Sequence, residues 1–173
     1  QTKKALETRF GGEWYIMTRL HPSVATAFEK VEKPDFVKIR ETISSRPSME
    51  SWEKEMHRCY RDGAAGIIAL EKKAGKNAPE GLVERLSVIE EKWDEIQALA
   101  KTAPPASEIS RVLAEMGAAK IPSDVGIPRQ YVHDSIRYGK ELRDRYTILQ
   151  LMWDIGKLDE AAEKLVGKYC DET

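Results

Sequence analysis

Chemistry in this chain would have to come from its charged side chains, and their densest cluster lies between Ile136 and Leu158. There Arg143, Asp144 and Arg145 adjoin Tyr146, Leu149 and Trp153, whose spacing puts them on one side of a helix. A solvated face would not need those aromatic and aliphatic residues, and a plain core helix would not need the charges. Two readings of Arg143, Asp144 and Arg145 follow. One is a salt-bridged helix surface that fixes neighbouring helices. The other is contact with an anionic ligand or an adjoining domain, since the planar arginine fork suits carboxylate and phosphate alike. Tyr146 and Trp153 read as core.

Other chemistry finds little support. His21, His57 and His133 are isolated, with no His-x-x-x-His or Glu-x-x-His pair to hold a metal. His57 follows Met56 and is expected at a helix edge or in solvent. Cys59 and Cys170 lack zinc spacing and read as free thiols in a reducing cytoplasm. Gly11-Gly12 lacks the third glycine of a dinucleotide fingerprint, and no Gly-x-Ser-x-Gly elbow occurs. Glu90-Glu91 and Asp159-Glu160 read as solvated faces, and no carboxylate stands in a recognisably apolar setting. No catalytic residue, metal ligand or cofactor site is therefore assigned.

Composition narrows the class. The 173 residues suffice for one domain with a real core. With 28 basic and 29 acidic residues, the chain lacks the cationic excess of a general nucleic-acid binder. No apolar run reaches membrane-spanning length, and no signal-peptide pattern opens the chain, so a cytoplasmic protein is expected. The start at Gln1 suggests a fragment or processed chain.

The elements that would position these groups are helices, for strand-like alternation is nearly absent. The expectation is a single all-α domain, residues 1–173, of about seven to nine helices, with residues 1–47 as N-terminal helices and 48–169 as the core. A first helix runs from Glu13 to Leu20, and Ser23 caps a continuation through Val24 and Phe28. Pro34-Asp35 opens a short helix with Phe36, Ile39 and Ile43. Ser48 caps a longer one bearing Trp52, Met56, Cys59 and Tyr60. Asp62-Gly63 breaks it before Ala64 to Lys73. Asn77 caps the most periodic helix, where Leu82, Leu86, Ile89, Trp93, Ile96 and Leu99 recur every three or four residues. After Pro104-Pro105, Ser107 caps a helix ended by Gly117. Lys120 to Ile127 is a loop, Pro128 opens a helix through Leu142, and Gly156 separates the last two. A helix-turn-helix pairing of Ser107–Gly117 with Pro128–Leu142, offering Arg129, Gln130, His133 and Arg137, is a minor reading, because the loop is long for that motif.

From about Trp52 to Leu165 the chain resembles the C-terminal helical domain of bacterial sn-glycerol-1-phosphate dehydrogenases, in the superfamily of iron-containing alcohol dehydrogenases and dehydroquinate synthases. The carrying blocks are Trp52 through Ile67-Ile68-Ala69-Leu70 with Gly75-Lys76; Arg85-Leu86-Ser87-Val88-Ile89 with Lys92-Trp93-Asp94-Glu95-Ile96; Glu108-Ile109 through Met116-Gly117; and Leu142-Arg143-Asp144-Arg145-Tyr146-Thr147 through Trp153-Asp154 and Leu158-Asp159-Glu160. The resemblance implies an all-α domain packed on an N-terminal α/β domain that holds NAD(P). A divalent metal, usually zinc, would lie between the two and polarise dihydroxyacetone phosphate for reduction. The family's metal ligands have no counterpart here: Gly11-Gly12-Glu13 carries glycine where a histidine would stand. The chain is thus expected to be inactive alone and to need the missing nucleotide-binding domain or another partner chain. The alternative is a stand-alone helical interaction module that has lost the metal site, pairing with a partner or as a homo-oligomer.

Overall fold

The structure, a computed structural model, describes residues 21–119 and 121–171. The expected helix from Glu13 to Leu20 and the Gly11-Gly12-Glu13 stretch lie outside them. Among the described residues every regular element is helical, so the chain is an all-α multi-helix domain. No helix there is long and apolar enough to cross a membrane.

Local chemistry sets most boundaries. Helix α1 (His21–Phe28) leads to α2 (Phe36–Glu41), whose first free N–H groups, on Val37 and Lys38, donate to the Asp35 carboxylate at 3.1 and 3.2 Å. Ser48 caps α3 (Met49–Tyr60), accepting from the Ser51 N–H at 3.2 Å. A 3-10 turn at Arg61–Gly63 folds the chain back into α4 (Ala64–Ala74), so α3 and α4 form a helical hairpin. The corner costs backbone strain, because Arg61 sits at φ 48° without being glycine. Gly75, at φ 63°, ends α4 in the left-handed conformation that glycine adopts without Cβ strain.

Next come α5 (Pro79–Glu91), α6 (Trp93–Ala100) and α7 (Ala106–Glu115). The single long helix expected over Leu82–Leu99 is two. At Lys92 the backbone leaves α geometry (φ −98°, ψ 16°), and beyond it Ile96 still packs while Leu99 faces solvent. Ser107 does not cap α7. The helix starts one residue earlier, and the Ala106 N–H donates across the fold to the Thr26 hydroxyl of α1 at 3.0 Å. Ser23 likewise lies inside α1, and its hydroxyl shares a 2.7 Å hydrogen bond with Tyr169. The chain closes with α8 (Arg129–Tyr138), a 3-10 turn at Gly139–Glu141, α9 (Ile148–Asp154) and α10 (Leu158–Val166), followed by a π turn at Gly167–Asp171. The helix expected from Pro128 through Leu142 therefore ends at Tyr138.

The main core joins Val24 and Phe28 of α1, Leu82, Leu86 and Ile89 of α5, Trp93 of α6, Val132 and Ile136 of α8, and the inner faces of α9 and α10. Phe28 and Phe36 each meet Trp93 edge to face, with centroids 5.6 and 6.1 Å apart, a geometry the ring quadrupoles favour. A separate small cluster of Met56, Ala64 and Ile68 fills the α3–α4 hairpin, with Trp52, Tyr60 and Tyr138 against it.

Helix α8 joins the two regions. Val132 and Ile136, four apart, enter the main core, whereas Asp134 and Tyr138, also four apart, face the hairpin.

Candidate functional site

The residues singled out for chemistry lie on an exposed bend rather than on a helix face. Arg143, Asp144 and Arg145 fall in an irregular bend between the 3-10 turn and α9, and all three side chains are exposed. Neither the salt-bridged helix surface nor a packed helix describes them. Tyr146 is 53% exposed and not core, although its hydroxyl donates to Asp154 Oδ2 at 3.0 Å. The buried charges of this stretch lie on either side of the bend, at Lys140-Glu141 and Asp154.

Asp154 is fully buried at the end of α9. Arg85 of α5 meets it with both fork nitrogens, Nε at 2.7 Å and Nη2 at 3.0 Å. Gln150 Nε2 donates to it at 2.9 Å, one helical turn back. Burial opposes the charge on Arg85, but the carboxylate outweighs that and raises its pKa. Arg46 then caps the helix end, donating to the Trp153 and Asp154 carbonyls at 3.0 and 2.7 Å. These carbonyls close the C-terminus of α9, where a cation is favoured; that of Trp153 also accepts from the Gly156 N–H at 3.0 Å.

Trp153 links this group to a second. The Arg46 guanidinium lies 4.2 Å from the ring centroid and the Lys140 ammonium 4.3 Å, a double cation–π contact. Lys140, 4% exposed, pairs with Glu141, 2% exposed, and donates to Asn77 Oδ1 at 3.0 Å. Glu141 also accepts from Trp52 Nε1 at 3.2 Å and from Asn77 Nδ2, and it faces Lys76 Nζ at 3.3 Å. Burial lowers the pKa of Lys140 and works against the charge on Glu141, yet Lys140, Lys76 and Asn77 keep the Glu141 carboxyl below its usual range. Asn77 is thus not the cap of α5. Its N–H donates to Glu71 Oε1 at 2.6 Å, and its amide is spent on Lys140 and Glu141. Glu71 is buried with Oε2 unpartnered, and burial pushes its pKa up.

A third group ties α3 to α8. Arg58 holds Asp134 through two bonds, 2.7 and 2.8 Å, and Glu55 through Oε2 at 2.7 and 2.9 Å. Tyr138 donates to the same Glu55 oxygen at 3.0 Å, and Tyr60 donates to the Tyr138 carbonyl at 2.7 Å. Burial opposes the charge on Asp134, but Arg58 and Gln130 overcome it, and the carboxyl sits below its usual range. Cys59, half-buried beside this group, has its thiol pushed up to about 11 by burial and then by Asp134, which suits an inert thiol rather than a nucleophile.

These arrangements hold structure together more readily than they react. Asp154, Glu141 and Asp134 are each paired with an arginine or lysine, and Glu71 is held by the Asn77 N–H. Among the described residues no group of three or more His, Cys, Asp and Glu side chains could hold a metal ion. His57 is exposed, and His133 stands between Asp134 and Glu163, at 3.7 and 3.4 Å. Cys59 and Cys170 are free. The side chains that a helix-turn-helix reading would offer to bases are engaged within the fold: Arg129 with Asp171, Gln130 with Asp134, and Arg137 with Asp159.

The expectation that no carboxylate occupies an apolar setting is overturned by Asp154, Glu141, Glu71 and Asp134. One signal was readable: Asp154 interrupts the apolar run Leu151-Met152-Trp153 and Ile155, where an acid must be buried and paired. Comparison with known proteins leaves the assignment to this geometry, for no protein-family model, curated protein or solved structure matches the chain.

Proposed function

We propose that the chain is the helical module of a glycerol-1-phosphate dehydrogenase-like protein, supplying scaffold and a docking face rather than reacting groups. One observation carries this reading. The blocks that resemble that family are far apart in sequence, yet members of three of them meet in one partly buried polar network: Trp52 and Lys76, Arg85, and Trp153-Asp154 with Tyr146. Residues that mark a family are expected to coincide with those that fix its fold. The described residues do not fit the family's metal, because no three acidic, histidine or cysteine side chains converge and Asp154, Glu141 and Asp134 are already paired with basic side chains. Metal, NAD(P) and dihydroxyacetone phosphate would therefore be held by an α/β nucleotide-binding domain outside the described residues or on a partner.

The purified chain should give no NAD(P)H oxidation with dihydroxyacetone phosphate and zinc. Added to a nucleotide-binding domain of that family lacking its own helical half, it should bind and restore turnover. Turnover by the chain alone, or no association with that domain, would overturn the proposal. A stand-alone interaction module is the second reading, favoured by Val112 on α7 and Met116 at its C-terminal cap, both exposed. Self-association abolished by Met116→Lys would favour it.

A further inference from the structure

A cavity of about 680 Å³ opens between α1, the segment after it and α10, away from the three polar groups described above. Its floor is apolar, built from Ala27, Val31, Ala106, Met152, Ala161 and Leu165. Its rim carries five lysines, Lys30, Lys33, Lys157, Lys164 and Lys168, against three carboxylates, Glu32, Asp35 and Glu160.

The pairing of those charges is uneven. Glu160 is committed to both Lys157 and Lys164, at 3.0 and 2.7 Å, and those two hydrogen bonds hold its carboxyl down at about 2. Asp35 is turned to α2, capping its N-terminus and facing Lys38. That leaves Lys30, Lys33 and Lys168 with one uncommitted carboxylate, Glu32, and Lys30 and Lys33 form no ion pair among the described residues. Lys168 lies over the Tyr169 ring at 5.2 Å, on the cavity side of the π turn.

We propose that this cavity binds a small amphipathic anion, a phosphate or carboxylate head on a short aliphatic chain. The unpaired lysines take the head, and the floor between α1 and α10 takes the chain. A site with this division discriminates on both parts of its ligand: charge alone or chain alone is insufficient. The inference is independent of the dehydrogenase reading, whose polar network of Trp52, Lys76, Arg85, Tyr146, Trp153 and Asp154 includes none of the lining residues.

Calorimetry on the full chain with hexyl phosphate, hexylammonium and inorganic phosphate tests it, with chemical-shift mapping to locate the ligand. Hexyl phosphate should bind saturably, weaken with added salt and tighten by about fourfold per methylene until the floor is filled. Lys30→Gln with Lys33→Gln should weaken it by about tenfold. Both side chains are exposed, so the variant should fold, and Lys73→Gln on α4 should change nothing. Absence of saturation, equal binding of hexylammonium, equal binding of bare phosphate, or indifference to the Lys30/Lys33 pair would each overturn the proposal. Cosedimentation with phosphatidic acid vesicles, lost in the same double variant, would identify the head group as a lipid's. Saturable binding of hexyl phosphate without cosedimentation would identify a soluble ester.

Discussion

The main body and the α3–α4 hairpin are held by different physics. The body closes around a continuous apolar core in which helices pack directly, α8 on α10 and α9 on α1. The hairpin's buried apolar residues are Met56, Ala64 and Ile68, and its two helices pack chiefly on each other. It reaches the body through long polar side chains: Arg58 to Asp134, Tyr60 to the Tyr138 carbonyl, and Trp52 to Glu141, which Asn77 of the following turn also holds. Apolar burial is non-directional and tolerates sliding, whereas these bonds fix one orientation and fail once a partner is removed. The hairpin is therefore a unit docked by geometry on a body closed by burial.

Cutting the body should cost most. Asp154→Ala leaves Arg85 without its carboxylate inside the fold, and a loss of roughly 3–5 kcal/mol is expected, seen as a large fall in Tm with one transition. Leu86→Ala should follow at roughly 2–5 kcal/mol, because a fully buried leucine leaves a cavity. At the contact that docks the hairpin on α8, Asp134→Ala should cost less, about 1–3 kcal/mol, since Arg58 can turn to water. Its effect should be confined to amide protection of α3 and α4, which hydrogen exchange reads directly.

Acid should separate the regions without mutation. Asp134, Glu55 and Glu141 each have a folded pKa below the unfolded value. The folded state binds fewer protons at these sites, so their stabilisation is complete above about pH 4 to 5 and is lost as the pH falls through the folded values. All three dock the hairpin. Glu71 has the opposite sign: burial raises its folded pKa, so its contribution fades as the pH rises through that value. The α3–α4 amides should therefore lose protection on acidification before those of α5, α9 and α10. The smallest effect belongs to the exposed bend. Arg143→Ala with Arg145→Ala should change stability by less than about 0.5 kcal/mol, and a larger loss would restore the structural reading of those arginines.

What was legible in the sequence was the periodic part. Leu82, Leu86, Ile89 and Trp93 mark a buried helix face, and Ser48, Asp62-Gly63 and Gly156 mark boundaries that the helices respect. Local patterns failed where a distant partner decides. Asn77 has the chemistry of a cap, but Lys140 and Glu141, more than sixty residues away, claim its side chain. Ser107 also has it, but Thr26 supplies the acceptor one residue earlier. The helical spacing through Tyr146 could not reveal that the chain bends there, with Lys140-Glu141 anchored on one side and Asp154 on the other. The buried charges of this stretch, Lys140, Glu141 and Asp154, flank the Arg143–Arg145 bend on either side.

Native-state hydrogen exchange across the whole chain tests the contrast most directly. The account predicts that α3 and α4 open as one unit, at a lower free energy than α5, α8, α9 and α10, and that Asp134→Ala lowers only that opening. Exchange of all helices through one common opening, with Asp134→Ala lowering it everywhere, would contradict it.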